Sequence, residues 1–423
     1  MKLELHLIQS FGPNCLNRDA TNSPKSCEFG GAMRARVSSQ CFKRAMRDFF
    51  RENNLVPVGE RTKRLRAEIG AFLPDLEPRE LVDFAVDAFV DTYYAKNDSK
   101  KPEHASVLLF LSHVELEEVA RCIEASWGEL MPIAEARRKK IEDIRASTLK
   151  KKAAPTQAAL PLGDEGESDT SSEGNASNAN DGSASGDGKF KDLPKPKADK
   201  AVIERLQNAA LSSDIALFGR MLAEHSEHRI EAAAQVAHAI STHAVSSELD
   251  FFSAVDDLNT DDAGAGMLGV TGFNSAVFYR YALLDFDALL LNLKGDREVA
   301  LQTARAFLCA FIEAIPSGKQ NSMAAQSLPS LGLFVVRESG APCSMVNAFC
   351  EPITRQKSGG MLRASIGEFA DYWNRYTRVY GERGIADKSL FCFEKDDNLG
   401  ALNGANRGTV EAAVESAMAA LAR

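Results

Sequence analysis

The feature that most limits how this chain can fold is a pattern of strands and helices that appears at the N-terminus and again in the C-terminal half. Leucines at positions 3, 5 and 7 alternate with polar residues, which predicts a strand over residues 2–9 with one buried face. After a loop rich in glycine, proline and asparagine, residues 33–37 are also predicted to be extended. A helix then begins at a Ser38 or Ser39 cap, with apolar residues at helical spacing up to Phe50.

The C-terminal half carries a matching unit. Residues 276–284 alternate as a strand does, a helical pattern follows between Leu301 and Ile315, and residues 331–337 form an apolar strand pattern. Together with the N-terminal strand, loop and helix, this order predicts an α+β protein with a ferredoxin-like β-α-β-β-α-β core and long insertions. The second strand of that core has no clear sequence signal.

The largest predicted insertion is helical. Residues 60–152 show mostly helical patterns, and residues 153–188 are rich in Gly, Ser, Asn, Asp and Ala without periodicity. Such a composition cannot bury enough apolar surface to fold, so we expect a disordered acidic insertion at about 153–188. A further helix is predicted around residues 202–210.

The charge of the chain is unevenly distributed. The formal net charge is −9, but residues 153–188 contain seven acidic residues and no lysine or arginine, so the remainder carries only −2. Between Arg18 and Arg47, seven basic residues face only Asp19 and Glu28, which gives a local charge of +5. The overall acidity therefore does not exclude a polyanionic partner.

The sequence predicts a cytoplasmic protein. The N-terminus lacks the continuous apolar stretch of a signal peptide, and no segment is long and apolar enough to cross a membrane. Eight scattered cysteines without a CxxC pair indicate reduced thiols rather than a disulfide framework.

Motifs of common enzyme classes are absent from the sequence. There is no HExxH, GxxxxGK[ST] or GxSxG motif, and His225 with His228 lacks a cysteine pair or a third evident ligand. We therefore predict no metal site, no cofactor and no catalytic residue of these classes.

The segment from Arg18 to Arg47 is the best candidate for a nucleic-acid site. Lysine and arginine neutralise phosphates, and a helix N-terminus offers further N–H donors to an anion. In the predicted helix, Gln40, Lys43, Arg44 and Arg47 fall on the side opposite the apolar residues. On charge alone, the alternative is that these basic residues form an ordinary solvent-exposed face that binds no nucleic acid. The Phe29-Gly30-Gly31 context favours close backbone approach.

Motifs along nearly the whole chain resemble one known family. They are PNCLNRDATNSPKSCEFGGAMRARVSSQCFKRAMR from Pro13, DIALFGRM from Asp214, AHAISTHAVSSELDFFSAVDDL from Ala237, SAVFYRYA from Ser275, GKQNSMAA from Gly318, SMVNAF from Ser344 and ASIGEFADYWNRY from Ala364. In this order they resemble the CasC (Cse4) family, the guide-RNA-binding backbone subunit of the type I-E CRISPR Cascade complex. Residues 50–200 match that family weakly.

The resemblance implies a protein shaped like a right hand. Residues 1–60 and 211–423 would form an RRM-like palm, with a thumb at about 237–272, and residues 61–210 would form helical fingers. Many copies would polymerise along one crRNA and present it for pairing with target DNA, together with other Cascade subunits. No membrane partner is implied.

The resemblance also implies roles for individual residues. Those expected to contact RNA are Arg18, Lys25, Arg34, Arg36, Ser38, Gln40, Lys43, Arg44, Arg47 and Lys319, with Lys195, Lys197 and Lys200 as finger lysines. Arg34, Arg36 and Arg44 could instead form salt bridges within the protein. Met221 and Phe252 would act as a wedge at a displaced base, although core packing is the ordinary role of such side chains.

Two other functions stay open. Related backbone subunits of type III complexes cut target RNA with a loop aspartate, for which Asp19 is the candidate here, although Arg18 is expected to pair with that carboxylate. Alternatively, the chain mainly bridges proteins. The non-catalytic guide-RNA scaffold is the prediction that the motifs favour.

Overall fold

The computed structural model describes residues 1–153, 190, 192–222, 225–255, 265–354, 360–394 and 399–423. Apart from residue 153, the predicted acidic insertion lies outside the described residues. The chain divides into two compact units. The first comprises Met1–Gly59, Ala210–Arg220 and Ile230–Arg423, and the second comprises Glu60–Ala209 and Met221–Arg229.

The strands and helices alternate along the chain. The strands are β1 (Lys2–Asn14), β2 (Ser26–Phe29), β3 (Ala32–Val37), β4 (Glu60–Thr62), β5 (Leu109–Leu111), β6 (Ala234–Val236), β7 (Ala239–Ser241), β8 (Glu248–Val255), β9 (Ala265–Asp285), β10 (Leu331–Arg337) and β11 (Ile385–Cys392). The helices are α1 (Ser39–Glu52), α2 (Arg66–Gly70), α3 (Arg79–Tyr93), α4 (His113–Ala125), α5 (Trp127–Ala153), α6 (Lys200–Gln207), α7 (Ser213–Phe218), α8 (Phe286–Asn292), α9 (Arg297–Glu313), α10 (Gln320–Met323), α11 (Gly360–Tyr380) and α12 (Val410–Leu421).

The first unit is built on an antiparallel sheet with strand order β11-β10-β1-β9-β7-β3-β2. The short strand β6 also pairs with β9, and β8 pairs with the first part of β9. Helix α1 lies between β1 and β6 in the chain, and α9 lies between β9 and β10. The mixed α/β composition predicted from the sequence is confirmed, with antiparallel pairing throughout this sheet.

Both faces of the central strand β1 are buried. Leu3, Leu5 and Leu7 pack with residues of α1, α9 and α12, and Ile8 packs on the opposite face with residues of α11. The prediction of a single buried face is wrong, because the alternating polar residues are buried as well. Glu4 forms an ion pair with Arg337, and His6 shares a 2.9 Å hydrogen bond with the Tyr279 hydroxyl.

The burial of His6 affects its protonation. Loss of solvent around the imidazole, together with the nearby charge of Arg337, lowers the pKa of His6 to about 3. The ring is therefore neutral at physiological pH and contributes to packing beside Tyr281, Phe369 and Trp373.

The second unit is mainly helical. Its core lies among α2, α3, α4, α5 and α6, next to the two-stranded β4–β5 sheet. Arg66 pairs with Asp87, and the fully buried Arg137 lies 3.3 Å from Asp91. Among the residues that the structure describes, no helix is long and apolar enough to cross a membrane.

Candidate nucleic-acid interface

The loop between β1 and β2 is organised by Asn17. Its side-chain oxygen accepts a hydrogen bond of 2.9 Å from the Ser38 N–H, and its backbone carbonyl accepts one of 2.9 Å from the Lys25 N–H. The Lys25 carbonyl in turn accepts from the Arg36 N–H at 2.9 Å. These bonds hold the loop, the strand β3 and the start of α1 together.

Helix α1 begins at Ser38, as predicted. The Ser38 hydroxyl accepts a hydrogen bond from the Cys41 N–H, which satisfies one of the free donors of the first turn. Its side chain is buried and serves as a cap. Gln40, two residues later, is exposed, and Arg44 is 81% exposed with an ion pair of 3.5 Å to Asp48.

Five cationic side chains surround this loop and are called here the basic cluster: Arg18, Lys25, Arg36, Arg44 and Lys319. Arg18 and Lys25 belong to the loop itself, the Arg36 N–H donates to the Lys25 carbonyl, and the Cys41 thiol, one turn before Arg44, lies 3.6 Å from the Leu16 carbonyl oxygen of the loop. Burial raises the pKa of the Cys15 thiol, and the charges of Arg18 and Lys319 oppose that rise. Burial likewise raises the pKa of the Cys41 thiol, and Lys25 and Arg44 oppose it.

Arg36 lies beside Lys25, because the two residues share a backbone hydrogen bond of 2.9 Å. Burial lowers the pKa of the His238 imidazole, and the positive charges of Arg36 and Lys25 lower it further. An Arg36 Nη1 lies 3.2 Å from the His238 Nδ1. In the part of the chain that the structure describes, Arg18, Lys25, Arg36 and Lys319 have no carboxylate within ion-pair distance, so their charge is available to an anion.

Lys319 reaches the loop because of the glycine before it. A Cβ on Gly318 would lie 2.4 Å from the Leu16 carbonyl oxygen, so only glycine allows this close approach. Lys319 has a φ of 54° and precedes the single turn α10. The chain thereby brings a cation to the loop from about 300 residues away in the sequence.

Two arginines that were predicted to contact RNA lie in the protein interior. Arg34 is fully buried and donates hydrogen bonds to the carbonyls of Phe29, Ser241, Phe349 and Cys350. In this structure it therefore connects segments of the first unit and is not exposed to a ligand.

Arg47 is likewise buried, at the far end of the predicted basic face of α1. Its Nε donates a hydrogen bond of 2.6 Å to Asp214, and its Nη2 donates one of 2.8 Å to the Gly59 carbonyl. Lys43, one turn earlier, is half-buried and lies over the Phe218 ring, with its Nζ 5.4 Å from the ring centroid. The basic face predicted from helical spacing therefore divides into exposed and internal positions.

Asp19 has a structural role in the loop. Its Oδ1 accepts hydrogen bonds from the Thr21 N–H, the Thr21 hydroxyl and the Ser23 N–H, at 2.9, 2.7 and 3.0 Å. The expectation that Arg18 would pair with this carboxylate is wrong, because Arg18 donates its 2.6 Å hydrogen bond to the Asn22 side chain instead. Hydrogen bonds from Thr21 and Ser23 lower the pKa of Asp19.

The predicted thumb contains a two-stranded arm, formed by β8 and residues 265–273 of β9. Directly opposed residues share a face of such a pair. Leu249, Phe251, Leu268 and Val270 therefore lie on one face, and all four are more than half exposed. The other face carries Phe252 opposite Gly269. At the base of the arm, Gly272 closely approaches the Pro24 ring of the loop.

The other predicted contacts lie in the second unit. Lys195 forms an ion pair of 3.1 Å with Asp91, whereas Lys197 and Lys200 are exposed and have no ion-pair partner among the described residues. Met221 is 83% exposed, so the ordinary expectation of core packing does not apply to it.

Several residues of this interface were not identified from the sequence. These are Asn17, Gly269 and Gly318. Each acts through a hydrogen bond or a close backbone contact with a residue distant in the sequence, and that contact is visible only in the folded structure. A glycine within a strand is a signal for close backbone approach, and Gly269 lies within β9. Among the described residues, no group of three or more His, Cys, Asp or Glu could hold a metal ion.

Comparison with known proteins identifies related chains. A family model described as "CT1975-like protein" matches residues 3–416. A chain of a solved structure titled "CRISPR RNA-guided surveillance complex, pre-nicking" is 28% identical, with a TM-score of 0.73, and the match covers 99% of this chain and 100% of that one. A second, titled "CRISPR RNA-guided surveillance complex", is 24% identical with a TM-score of 0.65 and the same coverage, which bears on the fold alone. No curated protein matches the chain.

Proposed function

This chain belongs to the CT1975-like protein family, which confirms the resemblance seen in the sequence, and from that premise we propose that it is a guide-RNA-binding backbone subunit of a Cascade-type CRISPR complex, of type I-E. It polymerises along the crRNA and presents the guide for pairing with target DNA. The observation that carries this proposal is the basic cluster, in which cations from four separate segments converge on one ordered loop.

The strand order supports an RRM-like palm. Reading β1, β6 with β7, β9 and β10 as the four core strands gives the spatial order 4-1-3-2, with α1 and α9 as the two connecting helices. This is the arrangement of a β-α-β-β-α-β unit. The helical second unit corresponds to the proposed fingers, and the arm corresponds to the proposed thumb.

The chemistry of the cluster suits backbone recognition rather than base readout. Lysine and arginine side chains neutralise phosphates whatever the sequence of the nucleic acid. In an RNA-guided complex, base pairing between guide and target supplies the specificity while the protein holds the backbone. A protein that binds any guide needs contacts of this sequence-independent kind. Its partners would be crRNA, target DNA through the crRNA, further copies of itself and other Cascade subunits.

The first test concerns the salt dependence of RNA binding. In the triple variant Lys25→Ala, Arg36→Ala, Lys319→Ala, we expect the slope of log affinity against log salt to fall by about 1 for each cation removed. The affinity for single-stranded RNAs of unrelated sequence should fall to the same extent. Fluorescence anisotropy with labelled RNA over a salt series measures both quantities.

A charge-matched control uses exposed arginines elsewhere in the first unit, namely Arg378→Ala, Arg383→Ala and Arg423→Ala. This variant removes the same charge but should retain most of the affinity. Equal losses in the two triple variants would mean that only net charge matters and that the basic cluster is not the binding site. Absence of RNA binding by the unchanged protein at low salt would refute the proposed function itself.

The second test concerns catalysis, since we propose that the subunit is not an enzyme. The Asp19 carboxylate oxygen Oδ1 is already occupied by three donors of its own loop, which supports a structural role. We therefore expect no cleavage when RNA-loaded protein is incubated with complementary RNA and magnesium. Cuts at regular spacing that disappear in Asp19→Ala, analysed on a sequencing gel, would instead establish the target-RNA-cleaving alternative.

A further inference from the structure

In the arm, an aromatic ring of one strand packs on a glycine of the neighbouring strand. Phe252 on β8 lies directly opposite Gly269 on β9. A Cβ built on Gly269 would lie 2.3 Å from Cζ of the Phe252 ring and 2.7 and 2.9 Å from its two Cε atoms. A point beyond the edge of the ring would be farther from both Cε atoms, so the Cβ position lies over the ring face. The tip of the ring therefore lies flat across the glycine.

This contact leaves the Phe252 ring partly open to solvent. The side chain is 41% exposed even though one of its faces covers Gly269. An aromatic side chain that covers a glycine on the neighbouring strand fixes both strand register and its own orientation. The open part of the ring can then stack with a planar group.

The composition of the arm suits the nucleobase that the resemblance implies as the partner of Phe252. Residues 248–255 and 265–273 contain no lysine or arginine, and Asp250 lies on the same face as Phe252. A phosphate would be repelled here, whereas the neutral face of a nucleobase would not. Stacking of one unpaired base on an aromatic side chain contributes about 1–3 kcal/mol and tolerates any sequence.

We propose that Gly269 is a positioning residue, which holds the Phe252 ring flat so that it stacks with an unpaired base of the bound RNA. This inference rests on the proposed function, because it needs an RNA strand at the arm. Any side chain at position 269 would push the ring outward by about 1 Å or more, since ordinary carbon contacts lie above 3.4 Å. Sites of this kind tolerate displacements of only about 0.5 Å.

The first measurement needs no RNA. In protein labelled at glycine, the ring current of Phe252 should shift the Gly269 Hα resonance upfield, and the shift should disappear in Phe252→Leu. A Gly269 Hα at an ordinary position would overturn the inference, whatever the protein does with RNA.

The second measurement uses chemical probing of bases in a guide RNA bound to the full chain. Unchanged protein should give bases of altered reactivity at regular intervals, and Gly269→Ala should lose at least about half of that signal while affinity changes less than about threefold, because phosphate contacts dominate affinity. The exposed Gly404, whose Cβ position has no heavy atom within 4 Å, provides the control Gly404→Ala.

A double variant separates positioning from other effects. Gly269→Ala should add nothing in a Phe252→Ala background, because its effect is expected to act only through the ring. An unchanged reactivity pattern in Gly269→Ala, or additive losses in the double variant, would overturn the inference while leaving the proposed function intact. A failure of the unchanged protein to bind RNA would refute the proposed function and the base-stacking role with it. The Gly269 Hα resonance would still show whether the Phe252 ring lies over the glycine.

Discussion

Replacing Arg34 with alanine is expected to lower the free energy of unfolding by about 3–5 kcal/mol, because several buried carbonyls lose a charged donor at once. The guanidinium lies 2.9–3.2 Å from the carbonyl oxygens of Phe29, Ser241, Phe349 and Cys350. It thereby joins the β2–β3 turn to β7 and to a segment that follows more than 100 residues later. Urea unfolding followed by circular dichroism measures the loss.

Arg36 offers the matched control for this prediction. It lies on the same strand, two residues away, but its side chain is half-exposed and, among the residues that the structure describes, bonds only to Ser26 and His238. Arg36→Ala should cost less than about 1 kcal/mol, as exposed polar contacts usually do. Arg34→Lys should recover little of the loss, since an ammonium cannot reproduce the planar fork. Equal costs for Arg34→Ala and Arg36→Ala would contradict the structural role assigned to Arg34.

The turn next to Arg34 depends on the same contact. Gly30 has a φ of 60°, and a Cβ there would lie 1.6 Å from the Cys350 carbonyl oxygen. Only glycine fits both the left-handed conformation and the close approach. The turn is thus held against the segment of Cys350 by its lack of a side chain and by the hydrogen bonds of Arg34.

The contrast between Arg34 and Arg36 shows what a strand pattern can predict. A period of two correctly puts both arginines on one side of β3, and both do point away from Ala35. Whether that side is solvated depends on what covers it. Over Arg34 it is covered by a segment more than 300 residues away in the sequence, which no local pattern contains.

The central strand illustrates the same limit. Alternation in β1 correctly predicts a strand, because Leu3, Leu5 and Leu7 belong to one core. It does not predict that Glu4 and His6 are buried too, since their partners Arg337 and Tyr279 lie on other strands. Polar residues in a central strand remain compatible with burial when they are paired.

Very short strands could not be predicted from the sequence for a different reason. The strands β6 and β7 have three residues each, which is too short for a period of two to be distinguished from chance. The second core strand was therefore not identified. By contrast, β10 was predicted at its observed bounds, α9 close to its observed position, and β9 only over residues 276–284 of Ala265–Asp285. At the candidate site, composition identified the basic segment, whereas the contribution of Lys319 required the resemblance.

Arg47→Ala is expected to destabilise the protein by about 3–5 kcal/mol, because it leaves the Asp214 carboxylate buried without a cation. Asp214 is fully buried, and its Oδ2 accepts the hydrogen bond of 2.6 Å from Arg47. Its Oδ1 accepts from the Gly59 N–H and the Ser212 hydroxyl, and neither donor neutralises the charge. Any loss of RNA affinity in this variant should follow from unfolding. Urea unfolding and RNA anisotropy on the same preparation measure both effects.

A second substitution tests that explanation directly. Asp214→Asn removes the charge but retains an oxygen for the Gly59 and Ser212 donors, so the double variant Arg47→Ala, Asp214→Asn should recover much of the lost stability. Arg47 and Asp214 are in contact, so the stability changes of the two substitutions should not add. The double variant should be clearly more stable than the sum of the two single changes would give. If Arg47 only supports the fold, the double variant should also bind RNA nearly as well as the unchanged protein. Recovery of stability without recovery of RNA binding would instead assign Arg47 to the RNA contacts that its position on α1 first predicted.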